Sequence, residues 1–375
     1  MSAAPEARLG LLRKTLMLGS APAFVAGMGV ALWTLVAPPV VLPEVVVALT
    51  VTAMLCAFVS PIQDHVRHML HVADASWGAA VMSGVMVGAT LLAIWLFAAV
   101  EVPAPWVPLG ALASANLLSL GAGLWLARGH APHPNEAPKM DFGTLIHAGR
   151  WLLVVALLPT GAAFAAAALV VHLAGPAAMG YAEAGRVLGQ PPWVLSMGLA
   201  AVLGPRSVRA VRRGDRNEAR SVSRLFAGIM LLAGLPYLAL VGIPWSWSPL
   251  PGLVPNAYYV PHLLVVSILA NMVIGMDWPY RSELIGAGRA STLARLEAVA
   301  NSARISVAGL AGTLGSFAIP VGYLVHALVR SVGYRITLRR LYHASAAAPP
   351  VPEWPPLEPV PEPALSTGES TRPAL

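Results

Sequence analysis

Ten apolar runs, each about as long as a bilayer is thick, decide most of what this chain can fold into. A hydrocarbon core of roughly 30 Å takes about 20 helical residues to cross. Runs near that length lie between turn signals at residues 13–37, 43–63, 76–100, 106–127, 147–173, 178–203, 225–243, 257–277, 293–313 and 316–338. With 57% hydrophobic and 11% charged residues, too little polar material remains to cover a water-soluble domain. The chain therefore reads as an all-α polytopic membrane protein. Its first run follows Arg13 and Lys14 but is too long for a signal peptide and has no clear small-residue cleavage site, so it is taken as a retained span. The ninth is the most polar, with Arg295, Glu297, Asn301 and Arg304.

A net charge of +7 would suit a nucleic-acid partner, but the cations are not arranged for one. They fall in every second connection. The N-terminal flank has Arg8, Arg13 and Lys14, and the next connection, PPVVLPE, has none. Arg67 precedes an empty EVPAP, and Arg128 with Lys139 precede an empty AGPA. The stretch GPRSVRAVRRGDRNEARSVSRL at 204–225 holds seven arginines and precedes an empty PWSWSPLPGLVPN. Arg281 and Arg289 follow, then an empty turn near Gly315, then Arg335, Arg339 and Arg340. Short loops rich in Lys and Arg stay cytoplasmic, which places both termini in the cytoplasm. The 204–225 stretch reads as a cytoplasmic loop that fixes topology and meets the anionic inner leaflet. No aromatic platform or folded reading element accompanies it, so no nucleic-acid partner is expected. Arginine far outnumbers lysine and alanine is abundant, as in a GC-rich bacterial genome, which makes the expected location a bacterial plasma membrane. The single Cys56 sits in an apolar run, so no intramolecular disulfide is possible.

The longest polar connection between runs, RGHAPHPNEAPKMDFGTLI at 128–146, divides the spans into four and six. The expected organisation is a membrane lobe over 1–128, a cytoplasmic inter-lobe loop over 129–146, a second membrane lobe over 147–340 and a Pro-rich disordered tail over 341–375. The tail is either an inert extension or a recruiter of a partner. The halves also echo each other. Asp64 and Arg67 near the end of the second run correspond to Asp277 and Arg281 near the end of the eighth, each followed by a leucine and an Ala-Ser pair. These four are candidate cytoplasmic gate residues.

Ionisable side chains inside a span cost about 2.5 to 3.5 kcal/mol on insertion scales, so those present face a partner or a hydrated cavity. Glu183, Arg186 and Gln190 fall on one face of the sixth run, and Glu297, Asn301 and Arg304 on one face of the ninth. His326 and Arg330 lie four apart in the tenth, with Arg330 close enough to the inner side to snorkel. Two readings stand side by side. Glu183 with Arg186, and Glu297 with Arg304, are neutralising structural pairs; or the arginines present charge to an anionic headgroup, for which a planar guanidinium fork suits phosphate. The first lobe offers only Asn116 and Ser119 within its spans. His65, His68 and His71 do not make a metal site, and neither a metal nor a cofactor is expected. Prolines 22, 159, 191, 192, 236 and 320 lie within spans and predict kinks.

The stretch GYAEAGRVLGQPPWVLSMGLAAVLGPRSVRAVRRGD resembles a helix and following basic loop of the polysaccharide-export branch of the multidrug/oligosaccharidyl-lipid/polysaccharide flippase superfamily, through Tyr181, Ala184, Pro192, Pro205 and Gly214-Asp215. PIQDHVRHMLHVADASWGAA is similar to the end of that family's fourth helix, and GSFAIPVGYLVHALVR to its last. The resemblance implies a two-lobed, MATE-like fold and a non-enzymatic transporter. Such a protein flips an isoprenoid-diphosphate-linked oligosaccharide or related polysaccharide precursor by alternating access, among membrane lipids and beside other polysaccharide-assembly proteins. Arg186 and Arg304 would then meet phosphate. By the match the first run corresponds to the family's third helix, so two N-terminal helices are absent, through an upstream start site or a reduced protein. The alternatives are a MATE-type drug or cation antiporter, a membrane-embedded glycan-processing protein and a scaffold.

Overall fold

The structure is a computed structural model that describes residues 43–72, 75–128, 142–245, 247–249, 258–260 and 262–347, with helical positions at 24–25, 27–29, 31–32 and 35–36. Most of the run at 13–37, the 129–141 loop and the tail beyond 347 lie outside the described residues. Every long element is a helix, and among the described residues there is no strand. Among the described residues eight helical stretches are long and apolar enough to cross a membrane: Pro43–His71, Ser76–Ala99, Trp106–Ala127, Gly149–Ala174, Pro191–Arg212, Arg216–Gly242, Leu263–Gly286 and Ala311–His343. The chain divides into two compact units, Met1–Arg150 and Trp151–Leu375.

In the first unit, α1 (Pro43–Val72), α2 (Ser76–Ala99) and α3 (Trp106–Ala127) pack together, α3 against both of the others. Small side chains make this possible. A Cβ at Gly123 would lie 2.4 Å from Met82 Cε, so a larger residue there would have to displace the Met82 side chain where α3 approaches α2. The polar contacts are internal: Gln63 Nε2 donates to Ser119 Oγ at 2.8 Å, and Ser119 Oγ donates to the Met82 carbonyl at 2.9 Å. Phe24, from the first run, meets Phe58 edge to face at 6.0 Å. The second run was expected to end at 63, but α1 continues to Val72. Asp64 and Arg67 thus lie within a helix rather than in a turn, because polar residues past the hydrocarbon edge still satisfy their backbone helically.

The second unit begins inside α4 (Phe142–Ala174) and continues with α5 (Pro176–Gly189), α6 (Pro191–Arg212), α7 (Arg216–Tyr237), α8 (Leu263–Met276), α9 (Trp278–Gly286), α10 (Ala290–Ala308), the short α11 (Ala311–Leu314) and α12 (Ala318–Ala347). Prolines set its breaks. The sixth run, expected as one span over 178–203, is interrupted at Gln190 and extends to Arg212. Pro192 has no N–H to give the Leu188 carbonyl, and Tyr237 Oη donates to it instead at 2.6 Å. After Pro236, α7 widens into a π-helical turn at Leu238–Gly242, whose carbonyls are capped by Trp245 Nε1 on Ala239 (2.7 Å) and Ser248 Oγ on Leu240 (3.2 Å). α8 and α9 meet at Asp277, with Pro279 in the first turn of α9.

Three further expectations are corrected. The arginine-rich 204–225 stretch is a helical hairpin rather than a loop. Arg206, Arg209 and Arg212 end α6, Arg216, Arg220 and Arg224 begin α7, and only Arg213–Asp215 turns. Gly214 supplies the left-handed residue (φ 72°), and Asp215 caps α7 by accepting from Glu218 N at 2.9 Å. The ninth run is α10, which ends at Ala308 and is too polar to stand among the eight apolar stretches. Its polar face is covered by protein, with Glu297, Asn301 and Arg304 all buried and α12 packed alongside. Finally, α12 runs to Ala347, so the expected boundary at 340 falls within a helix.

Candidate functional site

A cavity of about 610 Å³ lies inside the second unit, lined by α4, α5, α6, α8, α9, α10 and α12. Helix breaks and close approaches shape it. Pro159 and Pro320 stand in its wall, and the breaks at Gln190 and Asp277 border it. A Cβ at Gly322 would come within 3.1 Å of the Arg304 carbonyl, so glycine lets α12 press on α10. That contact brings the next residue, Tyr323, under the Arg304 guanidinium, 4.9 Å from ring centroid to Cζ.

Four guanidiniums, Arg186, Arg281, Arg304 and Arg330, and one carboxylate, Glu297, line the cavity. Their pairing is uneven. Arg330 is saturated: it lies 3.4 Å from Asp277, 3.5 Å from Glu297, and donates to the Ile274 carbonyl at 2.9 Å. Glu297 also accepts from Tyr334 Oη at 2.6 Å and sits 3.4 Å from His326 Nε2. This cluster is buried throughout, its side chains no more than 6% exposed. Arg330 does not snorkel as expected, because two carboxylates and the Ile274 carbonyl near the α8–α9 break hold it inside. Arg186 pairs with Glu183 through both carboxylate oxygens, at the half-exposed edge of the cavity.

Arg281 and Arg304 have no ion pair among the described residues. Each is held by an aromatic face instead, Arg281 over Trp278 at 4.8 Å and Arg304 over Tyr323. Their Nε–H groups, with Trp278 Nε1–H, are buried donors without an acceptor. Such groups are rare in a finished fold and each calls for a reason. Trp193 and Trp278, 5.9 Å apart and tilted by 36°, give the same wall an aromatic face. Chemically, the site offers planar cationic donors beside aromatic surface.

Of the charged and polar residues singled out by sequence, Arg186, Gln190, Arg281, Glu297, Arg304, His326 and Arg330 line this cavity. Glu183 stands behind Arg186, and the expected Glu297–Arg304 pair is not formed. Asn301 donates from Nδ2 to the Glu297 carbonyl at 2.8 Å and faces a separate apolar pocket between α4 and α10. Asp277 binds Arg330 rather than Arg281, and Asp64 binds Arg67 at 3.0 Å on the exposed face of α1, so the two echoing segments do different things. Sequence reasoning passed over Trp193, Tyr323 and Tyr334, and Trp278 reads from sequence only as an interfacial tryptophan; of these, Tyr323 and Tyr334 lie on α12. The last two continue the stripe Tyr323, His326, Arg330, Tyr334, spaced three, four and four apart on one face of α12. Among the described residues no group of three or more His, Cys, Asp or Glu side chains is placed to hold a metal.

No family model matches the chain. No curated protein matches it either. Solved structures do. An outward-facing multidrug resistance MATE family transporter of the MOP superfamily aligns with 92% of this chain and 83% of its own, at a TM-score of 0.61 and 13% identity. A MATE protein in complex with MaL6 aligns over 91% of this chain and 86% of its own (TM-score 0.62, 13% identity), and a MATE protein in the bent conformation over 91% and 85% (TM-score 0.61, 14% identity). At these identities the likeness is one of fold, and the fold is MATE-like.

Proposed function

We propose that the chain is a transporter that moves an amphiphile with an anionic, phosphate-bearing headgroup across a bacterial plasma membrane, a lipid-linked oligosaccharide or related glycan precursor fitting best. The observation that carries this reading is the pair of half-buried Arg281 and buried Arg304, cations without an ion pair among the described residues that are oriented by Trp278 and Tyr323 in one cavity. An uncompensated buried charge is costly to keep, and a ligand bringing the missing anion removes that cost when it binds. A diphosphate supplies acceptors for both guanidinium forks, and the Trp193–Trp278 face offers a stacking surface for a sugar ring. The MATE-like fold supports transport by alternating access, and cytoplasmic placement of both termini belongs to the same reading.

A drug or cation antiporter is the second reading, favoured by the multidrug resistance transporter among the structural neighbours. The excess of guanidiniums in the cavity speaks against a cationic cargo. Transport in liposomes decides between them. With a fluorescent lipid-diphosphate sugar, wild type is expected to translocate and Arg281→Gln/Arg304→Gln to lose at least about a hundredfold in rate, as two charge-assisted contacts of roughly 1.5 to 3 kcal/mol each would dictate. Undiminished translocation by that variant removes the basis for the anionic cargo, and efflux of ethidium with no glycolipid movement would install the antiporter in its place.

A further inference from the structure

At the arginine-bearing end of the second unit a groove of about 540 Å³ runs between α7 and α12, over α9, which packs on both. Its walls are two matching helical stripes. Arg220, Ser223, Arg224 and Ala227 on α7 and Arg335, Leu338, Arg339 and Tyr342 on α12 each follow i, i+3, i+4, i+7. The floor is fixed. Glu283 of α9 is buried and accepts from Ser223 Oγ at 3.0 Å and from Tyr342 Oη at 2.5 Å, tying both walls to the floor with the groove's one carboxylate occupied.

The four arginines at the rim are exposed, and none is in an ion pair among the described residues. Their neighbours in sequence behave otherwise. Arg206 and Arg213 share Glu218 at 3.0 and 2.8 Å, so the local carboxylate is used away from the groove. Arg335 lies over Tyr280 at 5.3 Å, which orders its fork. Arg220 and Ala227 are separated by about 10 Å along α7, and beyond Ala227 the helix reads GIMLLAGL. A ligand in this groove therefore meets guanidiniums at one end and hydrocarbon at the other.

We propose that this groove is a binding site for the phosphate headgroup of an anionic glycerophospholipid, separate from the cavity and independent of the cargo assigned to it. Basic pockets between membrane helices on the cytoplasmic side select such headgroups, and each arginine near an anionic surface contributes about 1 kcal/mol. A zwitterionic lipid carries its own ammonium into the same field and gains less.

Native mass spectrometry of the full chain in nonionic micelles tests this, with dioleoyl phosphatidylglycerol, dioleoyl phosphatidylcholine and inorganic pyrophosphate as probes. Phosphatidylglycerol is expected to bind at least about fivefold more tightly than phosphatidylcholine. Arg220→Gln/Arg339→Gln is expected to weaken it by roughly 10- to 30-fold, from two contributions of about 1 kcal/mol each. Arg224→Gln/Arg335→Gln serves as a second variant should the first not fold, and Arg206→Gln, outside the groove, retains the preference. Equal binding of the two lipids, or a preference that survives the groove variants, overturns the site. Pyrophosphate that displaces phosphatidylglycerol at matching concentration overturns the lipid assignment.

Discussion

Two kinds of buried charge share the cavity of the second unit, and they make opposite predictions when removed. Glu297 satisfies Arg330, Tyr334 and His326 together, so Glu297→Gln leaves a buried guanidinium with Asp277 as its remaining carboxylate. Losing that hydrogen-bonded charge should lower stability by about 2 to 3 kcal/mol, read as a fall in the thermal unfolding midpoint in micelles. Arg304 has no such obligation. Arg304→Gln should leave that midpoint unchanged or raise it while reducing transport, as expected where a fold keeps an unfavourable charge for use. A lowered midpoint for Arg304→Gln would class it with the structural network instead. The stripes on α5 and α10 were legible in the sequence because charge inside an apolar run is conspicuous. Which charges pair was not, because Glu297 meets Arg330, thirty-three residues away, and helical spacing reports only neighbours on one face. Tyr323 and Tyr334 were missed because aromatic residues in a span read equally as packing.

At the level of elements, the prolines act through carbonyls they leave unserved. Tyr237 on α7 donates to Leu188 on the far side of the break made by Pro192, so one hydroxyl stitches two helices where the backbone cannot. Tyr237→Phe should therefore destabilise by about 1 to 2 kcal/mol. In Pro192→Ala the restored N–H can serve Leu188 itself, and Tyr237→Phe should then have little effect. Thermal unfolding of the two single variants and the double closes this cycle, and additive losses would show that the hydroxyl is not serving the break. The sequence announced these kinks but placed element ends poorly. Apolar runs locate hydrocarbon, whereas helices such as α1, α6 and α12 continue past it through residues that are polar yet helical. For the same reason the seven arginines read as a loop and fold as a hairpin with a turn of only Arg213–Asp215.

For the molecule as a whole, the decisive inference is sidedness, which rests on where cations fall rather than on packing. The hairpin turn at 213–215 and the segment after the π-helical turn, with Trp245 stacked on Trp247 at 6.1 Å, cap opposite ends of α7. A helix of 27 residues, Arg216–Gly242, is about 40 Å long, enough to place its ends in different compartments. The lone Cys56 makes this directly measurable. In a Cys56→Ser background, Ser221→Cys and Pro249→Cys, both exposed positions, each provide a single thiol. A membrane-impermeant maleimide added to intact cells is expected to label the thiol at 249 and spare that at 221, with the pattern reversed in inside-out vesicles. Labelling of both from one side would mean that α7 does not cross, and the reversed pattern would put the arginine groove against the outer leaflet. The alternation of basic and empty connections would then have another origin. The groove and the cavity proposals do not depend equally on this result: an anionic cargo can meet the cavity's guanidiniums on either orientation, whereas the lipid site proposed for the groove requires an acidic leaflet at its own end of the helix.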